Sequence, residues 1–136
     1  MSDILLRMPN WVGDAVMALP ALEALHEIRP GSAIDVMAHP RVRPLVESIA
    51  WIRDLPPVPG RGDAGWREVI RTLRRRRYAL GITLAPSFSS AFVLAAGGVR
   101  ERLGRKGGGR DFLLTTALSA GVRGHPQVTQ YVDVVR

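Results

Sequence analysis

The sequence contains no cysteine, which excludes disulfides and thiolate metal sites at the outset. Lysine is nearly as scarce, since Lys106 is the one lysine and the remaining basic residues are arginines. Aromatic residues make up 6% of the chain, too few for the stacked platforms of single-strand nucleic-acid binders. No apolar run approaches the roughly 20 residues that span a bilayer. Met1-Ser2-Asp3 offers no positive n-region, and Arg7 breaks the run Ile4-Leu5-Leu6, so no secretory leader is expected and the expected compartment is the cytoplasm. There is no GxGxxG fingerprint, no Walker loop, no helix-turn-helix and no zinc finger. No His, Asp and Glu cluster has metal-ligand spacing, so neither a cofactor nor a metal is expected.

What is present fits one soluble-type α/β domain. A chain of 136 residues can bury one core. The net charge of +7 is carried almost wholly by guanidinium groups. These pair with phosphate and carboxylate in a bidentate fork, so an anionic partner is expected.

Apolar periodicity and chain breakers predict alternating strands and helices. Residues 4–8 read as a buried strand ended by Pro9. After a loop, Asp14 stands as the N-cap of a helix with Val16, Leu19, Leu22, Leu25 and Ile28 on its inner stripe. Pro20 either opens the main helix or kinks it, and Arg29-Pro30-Gly31 ends it. A second strand (33–38), a short helix (42–49) and a third strand (52–58) follow, with Pro56, Pro57 and Pro59 making the end of that strand an edge or a loop. The loop 60–65 leads to a helix over 66–77 with Val69, Ile70 and Leu73 inward. A fourth strand (78–84), a helix (89–96) closed by Gly97-Gly98, a fifth strand (101–105) and a helix (112–120) complete the pattern, with a further element starting at 128. This alternation predicts a Rossmann-like parallel sheet flanked by helices, one domain over residues 1–136.

In such a sheet, ligands bind beyond the carboxyl ends of the strands. The loops 9–14, 86–90 and 105–110 are expected to converge there, joined by the long loop 57–67. Asp14 is the leading candidate, either as a functional carboxylate or simply as a helix cap. Gly13 is expected to permit a tight turn and the close approach of a ligand.

The stretch Met8-Pro9-Asn10-Trp11-Val12-Gly13-Asp14-Ala15-Val16-Met17, followed by Leu19-Pro20-Ala21-Leu22, resembles the opening of the ADP-heptose:lipopolysaccharide heptosyltransferases, nearest their heptosyltransferase II type. The similarity runs on through Ile34-Asp35-Val36-Met37-Ala38, Arg43-Pro44-Leu45, Arg77-Tyr78-Ala79, Pro86-Ser87-Phe88-Ser89-Ser90-Ala91, Gly98-Val99 and Arg102-Leu103-Gly104. It implies the N-terminal, acceptor-binding domain of a GT-B glycosyltransferase, whose C-terminal nucleotide-sugar domain is absent from this sequence. The implied reaction is inverting transfer of heptose from ADP-heptose to the lipopolysaccharide inner core (Kdo and heptose on lipid A), with Asp14 as general base. The chain alone is then expected to be inactive.

The resemblance also suggests acceptor contacts. Asn10 and Gly13 lie in the first loop, where Trp11 either stacks on a sugar or packs beneath the loop. Ser87 and Ser89 either hydrogen-bond a sugar or cap the next helix. Arg61 and Arg67 meet acceptor anions or remain a solvated loop. Arg105, Lys106 and Arg110 flank Gly107-Gly108-Gly109, a nest for an anion or a flexible loop. Arg74–Arg77 are read as offsetting a helix dipole. Peripheral contact with the cytoplasmic face of an anionic inner membrane is a further expectation. The competing class is a basic α/β module that binds anions or nucleic acid without catalysis. It rests on charge alone, and no specific nucleic acid is expected.

Overall fold

The computed structural model describes residues 3–58, 63–85, 88–105 and 113–118. Its elements follow the order β1 (Ile4–Arg7), α1 (Val12–Ile28), β2 (Ile34–Met37), α2 (Arg43–Val46), β3 (Ile52–Asp54), α3 (Asp63–Arg76), β4 (Leu80–Thr83), α4 (Phe88–Ala96), β5 (Glu101–Arg105) and β6 (Thr116–Leu118). The strands form one sheet in the order β3-β2-β1-β4-β5-β6, and every neighbouring pair is parallel. This is the doubly wound order, in which the chain reverses its direction across the sheet between β1 and β4.

The sheet is covered on both faces, as continuous apolar strands require. Ile4, Leu6, Met8, Ile34, Val36 and Ile82 pack with Ala15, Ala18, Leu22 and Leu25 of α1 and with Val46 of α2. Leu5 and Met37 face the other way, into Val69 and Leu73 of α3 and Val93 and Leu94 of α4. The two-residue period of the strands thus separates two cores.

α1 departs from the expected pattern in three ways. It begins at Val12 with Trp11 at the cap, extended at φ −105° and ψ 141° and without a side-chain cap bond, so Asp14 sits in the first turn and is not the cap. The cause is a tight reversal: the Arg7 guanidinium donates to Asn10 Oδ1 at 2.6 Å, closing the loop early enough for the helix to start three residues sooner. Second, the inner stripe is mostly alanine (Ala15, Ala18 and Ala21, with Leu22 and Leu25), while Val16 and Ile28 are exposed. Small side chains let the helix approach the sheet, so the larger residues expected inside turn outward. Third, Pro20 neither opens nor ends the helix. Its missing N–H strands the carbonyl of Val16, and both residues lie on the solvent face where water can satisfy it.

The Gly97-Gly98 stop is as expected. Gly98 takes φ +74°, the Val99 N–H reaches Leu94 O, and the Gly98 N–H reaches Ala95 O, the two bonds of a left-handed helix terminus. α4 starts at Phe88, so Ser89 and Ser90 belong to its first turn and not to a preceding polar loop. Where a last helix over 112–120 is expected, the described residues 113–118 hold instead the strand β6. Arg102 captures the segment entering it: its backbone N–H donates to Thr115 Oγ1, its Nε donates to Leu113 O, and its carbonyl accepts from the Thr115 N–H. The expected element from residue 128 lies outside the described residues.

A buried ion network closes the amino edge of the sheet. Asp35, fully buried in β2, accepts from Arg53 Nε and Nη2 at 2.9 and 2.7 Å, from Arg76 at 3.1 Å and from the Tyr78 hydroxyl. Arg53 also meets Asp3, and Arg76 meets Asp54. The β2–β3 register shifts so that Ile52 and Asp54, but not Arg53, face β2 partners, a bulge that aims Arg53 at Asp35. Burial pushes the Asp35 carboxyl up. The Arg53 and Tyr78 hydrogen bonds, with Arg76, outweigh it and hold the group below its ordinary range.

Candidate functional site

Parallel pairing sends the loops after β1, β2, β4 and β5 off the same edge, and the loop 8–11 stands at the reversal between β1 and β4, where sheets of this kind take their ligands. The strands bring the expected loop starts together here: Asn10-Trp11 after β1, Leu84-Ala85 after β4, and Arg105 at the end of β5.

Asp14 is half-buried in the first turn of α1, where a carboxylate is favoured by the helix dipole. Its carboxylate makes no hydrogen bond and no ion pair with any described residue, and so is available to a ligand. Gly13 has ordinary helical backbone, and a Cβ built on it meets nothing within 4 Å. The turn therefore does not need a glycine there, but the space beside it is open. Trp11 is 64% exposed, which rules out packing beneath the loop.

Two neighbours of this loop were not singled out from the sequence. The first is Arg7, 5% exposed, which donates to Met8 O at 2.7 Å and to Asn10. No carboxylate among the described residues pairs with it, and burial pushes its pKa down to about 10. At neutral pH a guanidinium charge therefore lies beneath the loop with no counter-ion. Its only trace in the sequence is an arginine interrupting an apolar strand. The second is the loop after β2. Arg41 stands over the Trp11 ring at 4.3 Å from its centre, a cation–π contact. His39 Nδ1 accepts from the Arg41 backbone N–H at 3.2 Å and from its Nε at 3.1 Å, which assigns the ring proton to Nε2. Desolvation, then the charges of Arg41 and Arg7, lower the His39 pKa and keep the ring neutral. The rule that ligands meet strand carboxyl ends applies to β2 as much as to β1 and would have found this loop.

The remaining candidates divide as follows. Ser89 is exposed on the first turn of α4. Its neighbour Ser90 is buried, hydrogen-bonded to Thr83 Oγ1 and Ala85 O, and ties α4 to the end of β4. Arg105 ends β5 opposite Leu118. Arg61, Ser87, Lys106, Arg110 and the Gly107–Gly109 nest lie outside the described residues. Arg67 is exposed on α3. Among the described residues, no three of His, Asp and Glu come together in a metal-holding group, and no helix is long and apolar enough to cross a membrane.

No protein-family model matches the sequence. Curated relatives do. The chain is 36% identical over 115 residues to lipopolysaccharide heptosyltransferase 2 of Escherichia coli, covering 82% of this chain and 33% of that protein. It is 30% identical over 131 residues to lipooligosaccharide heptosyltransferase 2 of Haemophilus influenzae, covering 94% and 38%. The solved structure of E. coli ADP-heptose lipopolysaccharide heptosyltransferase II superposes with a TM-score of 0.85 at 30% identity, over 98% of this chain and 40% of that one. A family 9 glycosyltransferase from Veillonella parvula has the same TM-score of 0.85 at 18% identity, over 98% of this chain and 40% of that one, a likeness of fold alone. The chain spans about a third of the length of the curated relatives it matches. In sequence and fold together, the chain is similar to the lipopolysaccharide heptosyltransferases over that part of their length.

Proposed function

We propose that the chain is the N-terminal, acceptor-binding domain of an inverting heptosyltransferase, and that donor binding belongs to a second, nucleotide-sugar domain outside this sequence. The observation that carries this reading is the unpaired carboxylate of Asp14 at the edge where the sheet reverses. An acceptor hydroxyl seated there donates its proton to Asp14 as its oxygen attacks the anomeric carbon of ADP-heptose from the face opposite the ADP. The carbon–oxygen bond to ADP breaks, the new glycosidic bond forms with inverted configuration, and ADP leaves with the electron pair. No resident cofactor is required for the step assigned to this chain.

The surroundings suit an anionic acceptor such as the Kdo-bearing inner core. Arg7 supplies positive potential beneath the loop and Asn10 is held by it. Arg41 is braced between Trp11 and His39 and keeps further donors for a carboxylate or phosphate. Ser89 and Arg105, with Arg61, Ser87, Lys106 and Arg110, are the other proposed acceptor contacts.

Calorimetric titration of the chain with a soluble Kdo-containing inner-core oligosaccharide, with ADP in parallel, tests the reading. The oligosaccharide should bind and ADP should not. Asp14→Asn should leave that binding within a few-fold, because the base acts in the transfer step. The chain alone should release no ADP from ADP-heptose. Binding of ADP without the oligosaccharide would assign the chain to the other half of the enzyme, and binding of neither would remove the acceptor role.

A further inference from the structure

α3 carries more positive charge than its fold uses. Arg67, Arg71, Arg74 and Arg75 stand at i, i+4, i+7 and i+8, an exposed stripe about 12 Å long. Arg77, just past the helix, and Arg100, before β5, extend it. Five of these arginines, with Ile70, line a shallow groove of about 630 Å³. A second depression of about 460 Å³ includes Arg74, Arg77 and Arg100.

The other arginines of this region are employed internally: Arg76 binds Asp35 and Asp54, and Arg102 binds carbonyls. Among the described residues, Arg74 is the only one of the six whose side chain has a partner, the Ala96 carbonyl at 2.9 Å, and none of the six pairs with a described acid. Glu68 and Glu101 lie close in sequence and form no ion pair with them. Like charges at i and i+4 (Arg67 with Arg71, Arg71 with Arg75) weaken a helix, and the dipole compensates only its last turn. The helix thus bears a repulsion that no described acid relieves.

The flank of the stripe is apolar. Trp66 meets Phe92 of α4 edge to face at 5.8 Å between ring centres, and Phe92 is 40% exposed. A helical face with guanidinium groups along a shallow groove and aromatic and aliphatic groups beside them matches a lipid headgroup boundary. A surface of anionic headgroups can meet the five arginines of the groove together, whereas one bound phosphate can meet two or three. We propose that the α3–α4 face docks on an anionic phospholipid surface. α3 lies along a face of the sheet, so docking leaves the carboxyl edge with Asp14 open, whichever reaction that edge performs.

Cosedimentation of the full chain with phosphatidylethanolamine vesicles, with and without about 30% phosphatidylglycerol, tests this. Binding should require the anionic lipid and weaken steeply with salt. Each arginine at a charged surface is worth about fivefold in partitioning, so Arg71→Gln with Arg75→Gln should weaken binding about 30-fold. Both positions are exposed and glutamine is a good helix former, so the variant should melt like the parent. Arg29→Glu, which removes equal charge elsewhere at an exposed position, should weaken it far less. Equal losses in the two variants would show that net charge and not this face is responsible. Binding to duplex DNA with the same arginine dependence, without binding to vesicles, would replace the lipid surface by nucleic acid. No binding to anionic vesicles would overturn the proposal outright.

Discussion

Arg7 shows how a single residue can be retained against its own cost. Burial pulls its pKa down to about 10, which corresponds to about 3 kcal/mol against the charged form. Its hydrogen bonds to Met8 O and Asn10, each about 1.5–3 kcal/mol because the donor is charged, offset that cost. Arg7→Met should therefore change global stability by less than about 1 kcal/mol in a urea titration. Hydrogen exchange at the amides of residues 12–14 should nonetheless accelerate, because the tie that starts α1 early is gone. A global loss above about 3 kcal/mol would mean that burial of the cation costs far less than its pKa implies. Asp14 drew notice in the sequence by its place beside a strand end, as a working carboxylate or a helix cap, and only the family resemblance gave it the role of a base. The Arg7–Asn10 and Arg41–Trp11 contacts were not legible there, because they depend on a reversal of the backbone and on a loop some 30 residues away.

At the scale of elements, Asp35 joins β2, β3 and α3. Removing one partner of a fully buried ion pair costs about 3–5 kcal/mol when the other charge is stranded. Here Arg53 and Arg76 keep 41% and 34% of their side chains in water and can rehydrate. Asp35→Asn should thus cost about 2–3 kcal/mol, read as a lower urea midpoint with unchanged slope. A neutral result would show that the network is ornamental to folding. Helix and strand order was legible from periodicity because β1, β2, β4 and the helices between them have strong, distinct periods. β6 was not. Phe112-Leu113-Leu114 and Ala117-Leu118 fit helical spacing over a short run, and only the ladder offered by β5 and the grip of Arg102 on Thr115 decide for a strand. The alanine face of α1 was misread for a related reason: the closeness of helix to sheet is set by the partner, not by the helix sequence.

For the whole molecule, pH acts through the carboxylates. The folded-state pKa values of Asp35 and Asp54 lie below the ordinary 3.8, the first through Arg53, Tyr78 and Arg76 against burial, the second chiefly through Arg76. Groups depressed in this way contribute stability that is complete above the unfolded value and is lost as pH falls through the folded one. The neutral-pH charge is already +7, so protonating carboxylates also adds to self-repulsion. Melting temperature should hold down to about pH 4 and fall steeply below it, with added salt recovering part of the loss. A flat profile across that range would contradict the network as drawn.

The place of β3 in the sheet carries a consequence for solubility. Among the described residues it pairs with β2 on one side only, and its other side offers backbone donors and acceptors from which a second molecule could extend the sheet. It is three residues long, its register is broken, and two of the three are Arg53 and Asp54, both exposed. A short, bent, charged border is a poor template for strand addition. The residues that lock Asp35 in place thus also guard the molecule against zipping onto its own copies.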